Sequence, residues 1–246
     1  MADGPTATLM CDEALLGRSL AGRAYVVTGG TKGIGLETCL QLSKMGATVL
    51  AGCRRPEELT SHARFAEGPG RIAALPLDLA DLGSVRAFAA ACRGELGVGG
   101  AKLAALVNNA GVAACPYGRS KDGFELQLAT NHLGHFLLTE LLLEDLRAAA
   151  PSRIVCLSSC YHDTAMGVRA HLDVDDPNFE KGRAYDKWAS YGQSKLCNVL
   201  HAMALARRLE GTGVTAVSAH PGWVPHASLT CPPRLPDVPP TPPSGG

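Results

Sequence analysis

Short apolar runs alternate with longer stretches of helical periodicity along most of the chain. The short runs are rich in apolar and β-branched residues, which favour strands, and they lie within residues 24–27, 47–51, 71–79, 102–109, 153–159 and 214–219. Helical spacing marks residues 36–46, 84–96, 124–146 and 189–209, with Gly46 ending the first helix and Asp81 or Ser84 starting the second. Strands that alternate with helices form parallel sheets. The pattern predicts an α/β fold, a Rossmann-like doubly wound parallel sheet of about six strands in a three-layer αβα sandwich.

Length and charge restrict the class of ligand. A chain of 246 residues with 46% hydrophobic content can bury one sizeable core. Its formal net charge is zero and it has no basic block, which excludes the electrostatic footprint of a nucleic-acid binder. We expect one domain for small molecules at residues 22–226, after an N-terminal extension at residues 1–21. Seven of the sixteen prolines fall in the last sixteen residues, so residues 227–246 are predicted to form a Pro-rich disordered tail.

Cysteine use and hydropathy indicate the compartment. The nine cysteines show no Cys-x-x-Cys pair and no paired zinc spacing. Several lie in apolar runs, where a free thiol behaves as a small buried hydrophobe, and this favours a reducing environment. The N-terminus lacks the apolar core of a signal peptide, and no segment approaches the roughly 18 consecutive apolar residues of a membrane helix. We therefore expect a cytoplasmic protein without a membrane span.

A glycine-rich loop joins the first predicted strand to the first helix. The sequence TGGTKGIG occupies residues 28–35. Its glycines allow a tight turn and a close approach of the backbone to a pyrophosphate at the helix N-terminus. Glycine-rich turns alone are common, but this loop stands where a dinucleotide fingerprint requires it. The residues predicted to bind the cofactor here are Gly29, Thr31, Lys32, Gly33, Ile34 and Gly35.

The end of the second strand bears on the kind of nicotinamide cofactor. Proteins specific for NAD(H) usually carry an acidic residue there, which bonds the ribose 2′-hydroxyl. Here the sequence reads AGCRR at residues 51–55, and Arg54 and Lys32 can converge on a phosphate. The sequence favours NADP(H) over NAD(H). The alternative is that the two cations are only solvated.

A tyrosine and a lysine lie four positions apart in YGQSK, residues 191–195. Residues at this spacing share a helix face. A neighbouring cation lowers the pKa of a tyrosine, so Tyr191 beside Lys195 can shuttle a proton. An exposed helix face that carries both residues by chance is the alternative. Tyr185 has no lysine four positions later and is therefore not a candidate for the proton-transfer residue.

Several motifs stand together in an order typical of one enzyme family. They are TGGTKGIG (28–35), Asp78 with Leu79, NNAG (108–111), Asn131, Ser158 with Ser159, YGQSK (191–195) and Pro221 with Gly222. Over roughly residues 22–224 the chain resembles the short-chain dehydrogenase/reductase superfamily. The phrases VNNAGV and TNHLGHFLLTELLL look most like its retinol dehydrogenase and WW-domain oxidoreductase branch.

The resemblance implies a role for each matching residue. Tyr191 is the implied acid-base catalyst, and Lys195 lowers its pKa and holds the nicotinamide ribose. Ser159 bonds the substrate oxygen, since the second serine of the pair is the usual one, and Asn131 holds a water of the proton relay. The remaining residues implied to contact the cofactor are Asp78, Leu79, Asn108, Ala110, Gly111, Pro221 and Gly222. Dimers and tetramers are usual in the superfamily, commonly through the helices that contain Asn131 and Tyr191, so the resemblance allows a homodimer.

An insert between Ser159 and Tyr191 departs from the simplest family pattern. Tyr191 follows Ser159 by 32 positions, a longer spacing that is a feature of the branch named above. The insert is expected to lie over the pocket, with Phe179, Tyr185 and Trp188 as candidate substrate walls. Its histidines and acidic run allow a metal site, but an irregular, solvated loop is favoured, and we predict no metal.

Two further departures lie near the C-terminus. His226 stands where the family usually has threonine or serine, so the orientation of the nicotinamide is expected to suffer. The relatives continue after the sixth strand with a substrate-binding helix region and a seventh strand, whereas a Pro-rich stretch follows here. We expect the seventh strand to be missing and the sixth to be an unpaired edge. The sequence also shows no N-terminal membrane anchor of the kind that many retinoid-reducing relatives have.

Two functions from different classes remain open. The first is an oxidoreductase that transfers hydride between NADP(H) and a small lipophilic carbonyl or alcohol, such as an aldehyde, a ketone or a retinoid- or steroid-like compound. The second is a catalytically weak or inert Rossmann domain that binds a nucleotide or a protein. The complete motif set favours a carbonyl reductase or a retinol dehydrogenase-like enzyme, and the short C-terminus favours the inert domain. A poorly folding fragment is the third possibility.

Overall fold

The computed structural model describes residues 17–62, 64–65, 68–163 and 171–222. The strands are β1 (Arg23–Thr28), β2 (Thr48–Cys53), β3 (Arg71–Pro76), β4 (Lys102–Asn108), β5 (Ser152–Leu157) and β6 (Val214–Ala219). The helices are α1 (Gly33–Lys44), α2 (Pro56–Thr60), α3 (Leu82–Gly99), α4 (Leu126–Leu128), α5 (Gly134–Ala148) and α6 (Lys187–Arg208). A π-helical turn at Ala129–Leu133 joins α4 to α5, and a 3₁₀ turn at Cys160–His162 follows β5.

The described strands form one six-stranded sheet in the order β3-β2-β1-β4-β5-β6. Every neighbouring pair is parallel. The chain starts in the middle at β1, runs outward to β3 and returns to β4, so the strand order reverses between β1 and β4. This confirms the predicted doubly wound fold. Residues 1–16 of the predicted extension and the whole predicted tail lie outside the described residues.

Two clusters of buried side chains hold the helices on the sheet. On one face, Leu106 and Ile154 from the sheet pack in a cluster with Phe88 of α3, Leu142 of α5 and Leu205 of α6. On the other face, a second cluster joins sheet residues to α1 and α2, and its members include Val27, Val49, Leu40 and Leu59. Burial of these apolar surfaces is the main stabilising contribution to such a fold. The three-layer arrangement matches the prediction.

Capping side chains decide where two helices begin. The Asp81 carboxylate accepts hydrogen bonds from the backbone N–H groups of Gly83 and Ser84, so Asp81 is the residue that caps α3. Asp186 accepts in the same way from Trp188 and Ala189 and starts α6 two residues before the predicted position. The sequence pattern missed the short helix α2, which has Pro56 at its first position.

Candidate active site

A cleft of about 800 Å³ opens at the carboxyl ends of the strands. Loops that follow all six described strands contribute to its lining. Ligands of doubly wound sheets bind at this edge, near the reversal of strand order. Most residues predicted to contact the cofactor line the cleft, namely Gly29, Thr31, Lys32, Gly33, Ile34, Gly35, Arg54, Asp78, Leu79, Ala110, Gly111, Pro221 and Gly222.

The glycine loop is shaped so that side chains would not fit. Gly29 and Gly33 have φ angles of +75° and +55°, a region that glycine enters without steric strain. A Cβ atom on Gly35 would lie 2.2 Å from the Gly29 carbonyl oxygen and 2.5 Å from Asn109 Nδ2. Within the described part of the chain, no side chain caps the N–H groups at the start of α1. These groups and the open loop fit the pyrophosphate of a dinucleotide.

Tyr191 and Lys195 lie together on the buried face of α6. They are 5% and 3% exposed, and both line the cleft. Lys195 Nζ donates to the Leu157 carbonyl oxygen at 3.1 Å and lies 5.7 Å from the centroid of the Tyr191 ring. Burial lowers the pKa of Lys195 to about 8. The exposed-face alternative is therefore wrong, because both side chains face the cleft.

The pKa of Tyr191 does not follow the predicted direction. Burial raises this pKa above its usual value, and a hydrogen bond from the Ser159 hydroxyl is the main opposing contribution. The Lys195 ammonium was predicted to lower the pKa, but the cost of desolvating the phenolate outweighs any such effect in the chain by itself. Ser159, which follows β5, is thus the residue that lowers the pKa of Tyr191 most.

The two neighbouring serines have different partners. The Ser158 hydroxyl donates to the backbone carbonyl oxygen of Lys195 at 2.9 Å, which fixes β5 against α6. The Ser159 oxygen instead accepts from the Tyr161 backbone N–H at 3.3 Å, and the Ser159 hydroxyl lowers the pKa of Tyr191. Both serines line the cleft, and the preference for Ser159 over Ser158 as the residue that meets a substrate stays a prediction.

Asn131 lies behind the wall of the cleft and is fully buried. Its Oδ1 accepts from the Val112 N–H at 2.8 Å, and its Nδ2 donates to the Val112 carbonyl and to Ser194 Oγ, each at 2.9 Å. A Cβ atom on Gly111 would lie 3.2 Å from Asn131 Oδ1 and 3.4 Å from Lys195 Nζ. Asn131 therefore holds the loop after β4 against α6, close to Lys195. The predicted water of the proton relay stays a prediction.

A neutral histidine connects Asn131 to the end of β1. His135 Nδ1 lies 2.9 Å from the Asn131 carbonyl oxygen, which can only accept, so Nδ1 carries the proton. Its Nε2 lies 2.8 Å from Thr28 Oγ1. That oxygen already accepts from the N–H groups of Asn109 and Ala110, so the Thr28 hydroxyl donates to Nε2. Burial lowers the pKa of His135 to about 3, which keeps the ring neutral.

Comparison with known proteins gives the family of the chain. The family model for short chain dehydrogenases matches residues 23–170. The chain belongs to that family. It is 44% identical over 207 residues to human retinol dehydrogenase 13, and 43% identical over 208 residues to human retinol dehydrogenase 11. These matches cover 83% of this chain but only 60% and 62% of the two relatives, so the chain spans less than two thirds of their length.

Solved structures show the same fold. An uncharacterized protein from Mycobacterium paratuberculosis superimposes with a TM-score of 0.70 at 39% identity, over 84% of this chain and 70% of that one. The Pseudomonas aeruginosa RhlG/NADP active-site complex gives a TM-score of 0.62 at 27% identity, over 85% of this chain and 75% of that one. The short-chain dehydrogenase fold and its resemblance to the retinol dehydrogenase branch, expected from the motifs, are confirmed.

A charged rim lies at the end of the cleft near the glycine loop; it comprises Lys32, Arg54, Arg55 and Glu58. Glu58 contacts Arg55 Nη2 at 2.5 Å and Lys32 Nζ at 4.0 Å. Lys32 and Arg54 were predicted to meet here, but Glu58 was not considered. Its signal in the sequence was the acidic pair Glu57 and Glu58, which follows the two arginines after Pro56.

Aromatic side chains form the opposite end of the cleft. Tyr161 stacks on Trp188 with 5.0 Å between ring centroids and meets Tyr191 edge-on at 5.7 Å. Tyr161 and Trp188 both line the cleft, and Tyr161 was not predicted although it stands two residues after Ser159. Phe179 and Tyr185, predicted as walls, pack on each other at 5.2 Å instead. Neither ring belongs to the lining of the cleft in the described part of the chain.

Asn108 and Asp78 were both predicted to contact the cofactor, but only Asp78 lines the cleft. Asn108 is 1% exposed and does not belong to the described lining, because its Nδ2 donates to Thr139 Oγ1 behind the sheet. Asn108 thus holds β4 to the helix behind the sheet, and its neighbour Asn109 lines the cleft. Asp78 does line the cleft, and its Oδ1 accepts from the Ala80 N–H at 2.9 Å, which fixes the carboxylate.

Three remaining predictions concern a metal, a membrane and the C-terminus. Among the described residues, no group of three or more His, Cys, Asp or Glu side chains is placed to hold a metal ion. In the same part of the chain, no helix combines the length and the apolar character needed to cross a membrane. Pro221 and Gly222 line the cleft, whereas His226 lies outside the described residues.

Proposed function

We propose that the chain is an NADP(H)-dependent oxidoreductase that interconverts a small lipophilic carbonyl compound and its alcohol. The observation that carries the proposal is the convergence of Ser159, Tyr191 and Lys195 at one wall of a cleft whose other end is the glycine loop. The relatives named retinol dehydrogenase make a retinoid-like aldehyde or ketone a natural first substrate to test.

The residues present fit a nicotinamide dinucleotide. The backbone of the glycine loop, where Gly29 and Gly35 line the cleft without side chains, would hold the pyrophosphate at the start of α1, and Asp78 and Leu79 would meet the adenine. Lys195 would hold the nicotinamide ribose. When bound, the reduced nicotinamide supplies the hydride to the carbonyl carbon. The proton and the hydrogen bonds to the substrate oxygen come from side chains of the protein.

The substrate oxygen is the atom on which Ser159 and Tyr191 act. In reduction, Tyr191 donates its phenolic proton to this oxygen as negative charge develops there. The Ser159 hydroxyl donates a hydrogen bond to the same oxygen, a preorganised donor that favours the transition state over the ground state. The buried Lys195 ammonium then favours the phenolate that Tyr191 becomes, a state in which its positive charge has most effect. Alcohol oxidation runs through the same groups in reverse.

The walls of the cleft favour an apolar substrate. Tyr161 and Trp188 present stacked aromatic rings beside Tyr191, and Val112 and Leu126 add aliphatic surface. Pockets of this kind bind lipophilic molecules by excluding water, with a few polar groups for orientation. Here those polar groups are Ser159 and Tyr191.

The preference for NADP(H) rests on the charged rim. Lys32, Arg54 and Arg55 line the cleft next to the glycine loop. Arginine bonds phosphate in a bidentate manner, and a 2′-phosphate is the group that distinguishes NADP from NAD. We propose that these cations bind it.

The test is a titration of the purified chain with NADPH and NADH, followed by turnover of retinal and a set of aliphatic and aromatic aldehydes. We expect NADPH to bind more tightly and to be consumed, and Tyr191→Phe to lose at least about 100-fold in turnover with unchanged NADPH binding, because the acid is removed and the cofactor site is kept. Tyr117→Phe is the matched control, since Tyr117 is 43% exposed and not part of the described lining. NADPH binding without turnover would support the inert Rossmann domain instead.

We further propose a homodimer through α5 and α6. Phe136 on α5 and Leu200 and Met203 on α6 are 43%, 43% and 48% exposed. Large apolar side chains exposed together on neighbouring helices are typical of interaction surfaces. Analytical ultracentrifugation of the chain and of the Met203→Glu variant tests this, and a monomer at all concentrations would refute it.

A cytoplasmic setting stays a proposal. Its support is the state of the cysteines: Cys39 and Cys92 are buried free thiols, which fits a reducing compartment.

A further inference from the structure

Glu58 is an acidic side chain placed among the cations of the rim. It lies on α2, just after β2, and lines the same cleft as Lys32, Arg54 and Arg55. Its carboxylate is 2.5 Å from Arg55 Nη2 and 4.0 Å from Lys32 Nζ. The Glu58 side chain is 28% exposed, whereas those of Arg55 and Lys32 are 61% and 62% exposed. The acid is thus the more buried partner in both ion pairs.

The position of this carboxylate sets up a competition. A phosphate that binds Lys32 and Arg55 must either replace the Glu58 carboxylate or share the same cations with it, and both groups are anions. Like charges at this range repel, and the repulsion weakens as salt increases. A ribose 2′-hydroxyl has the opposite relation to Glu58, because a hydroxyl can donate to a carboxylate.

We propose that Glu58 limits the preference of this chain for NADP(H) by opposing the phosphate-binding cations. As a carboxylate it pairs with Arg55 and Lys32 and repels the 2′-phosphate. It therefore weakens the binding of NADP(H), and the difference in affinity between NADP(H) and NAD(H) becomes smaller. Removal of its charge frees the two cations for phosphate. This inference rests on the proposed binding of a nicotinamide dinucleotide in the cleft.

The experiment compares dissociation constants for NADPH and NADH in the wild type, Glu58→Gln and Glu57→Gln. Glu57 is the matched control: it lies next to Glu58 on α2 and loses the same charge, but it is exposed and does not belong to the described lining. We expect Glu58→Gln to tighten NADPH about 3- to 10-fold and to leave NADH within about twofold, with the gain shrinking at high salt. Glu57→Gln is expected to change both constants by less than about twofold, because an exposed charge without contact is screened.

A double-variant cycle tests whether Glu58 acts through Arg55. Arg55→Gln alone is expected to weaken NADPH binding, and Glu58→Gln is expected to give a smaller gain in the Arg55→Gln background than in the wild type, since the cation it releases is gone. If Glu58→Gln tightened NADPH binding equally in both backgrounds, Glu58 would act through Lys32 or by direct repulsion of the phosphate. That result would still support the proposal.

The outcomes separate this inference from the proposed function. If folded wild type binds both nucleotides and Glu58→Gln leaves their ratio unchanged, the inference alone is wrong. Weaker NADPH binding by Glu58→Gln also overturns it, because Glu58 would then hold the cations in place for the phosphate. If folded wild type binds neither nucleotide, the proposed function fails and the inference fails with it.

Discussion

The two ends of the cleft use opposite electrostatic arrangements. Beneath the wall that Tyr191 and Lys195 form, Asn131 and His135 are buried and neutral, and each makes hydrogen bonds with defined partners. At the rim, Arg55 and Glu58 carry full charges on partly exposed side chains. Buried polar groups are costly to leave unsatisfied, whereas exposed ion pairs contribute little stability. The comparison teaches that the buried end fixes geometry and the exposed end adjusts affinity.

The largest effect is expected from removal of a buried amide. Asn131→Ala loses three hydrogen bonds and leaves the N–H and C=O groups of Val112 without this partner. We expect the free energy of unfolding to fall by about 3 kcal/mol, measured by urea denaturation. The control is Gln41→Ala, which removes an amide bonded to Glu37 on the surface of α1, with an expected loss under about 0.5 kcal/mol. Equal losses would contradict the contrast between buried and exposed groups.

The serine pair gives the next effect, in rate. Ser159→Ala removes the proposed hydrogen-bond donor to the substrate oxygen, and turnover is expected to fall about 100-fold with little change in stability. Ser158→Ala removes the bond to the Lys195 carbonyl oxygen instead. It is expected to lower the free energy of unfolding by about 1 kcal/mol and to leave turnover within a few-fold. If Ser158→Ala gave the larger loss of turnover, the roles of the two serines would be reversed.

The buried histidine gives an effect that depends on pH. The pKa of His135 is lowered to about 3 in the folded chain, so the unfolded chain takes up the proton first as pH falls through its ordinary value of 6.5. Stability is therefore lost as pH falls, by about 2 kcal/mol between pH 7 and pH 5 from this group. His135→Gln is expected to remove that part of the loss, measured by urea denaturation at each pH.

The matched control for His135 is His171→Gln. His171 is exposed in the insert, so its removal is expected to leave the pH dependence of the wild type. A His135→Gln variant with the same pH dependence as the wild type would show that the ring is not held neutral by burial.

The contrast also explains which parts of the molecule could be read from sequence. The order of strands and helices followed from hydrophobic periodicity, and the glycine loop and Tyr191 with Lys195 followed from motifs of fixed spacing. The partners of these residues depended on tertiary contacts instead. Asn108 turned away from the cleft toward Thr139, and burial reversed the expected pKa shift of Tyr191. Tyr161 and Glu58 also line the cleft, but they lie on a short turn and a short helix whose positions depend on tertiary packing.

The smallest effect is expected at the rim. Arg55→Gln removes the ion pair with Glu58, in which both partners are partly exposed. Because such pairs are screened by water and salt, we expect the free energy of unfolding to change by less than about 0.5 kcal/mol. The same variant is expected to weaken NADPH binding several-fold at low salt, so affinity and stability respond separately at this end of the cleft. A loss of stability as large as that of Asn131→Ala would mean that the rim is part of the rigid scaffold, and that its charges cannot adjust to a phosphate.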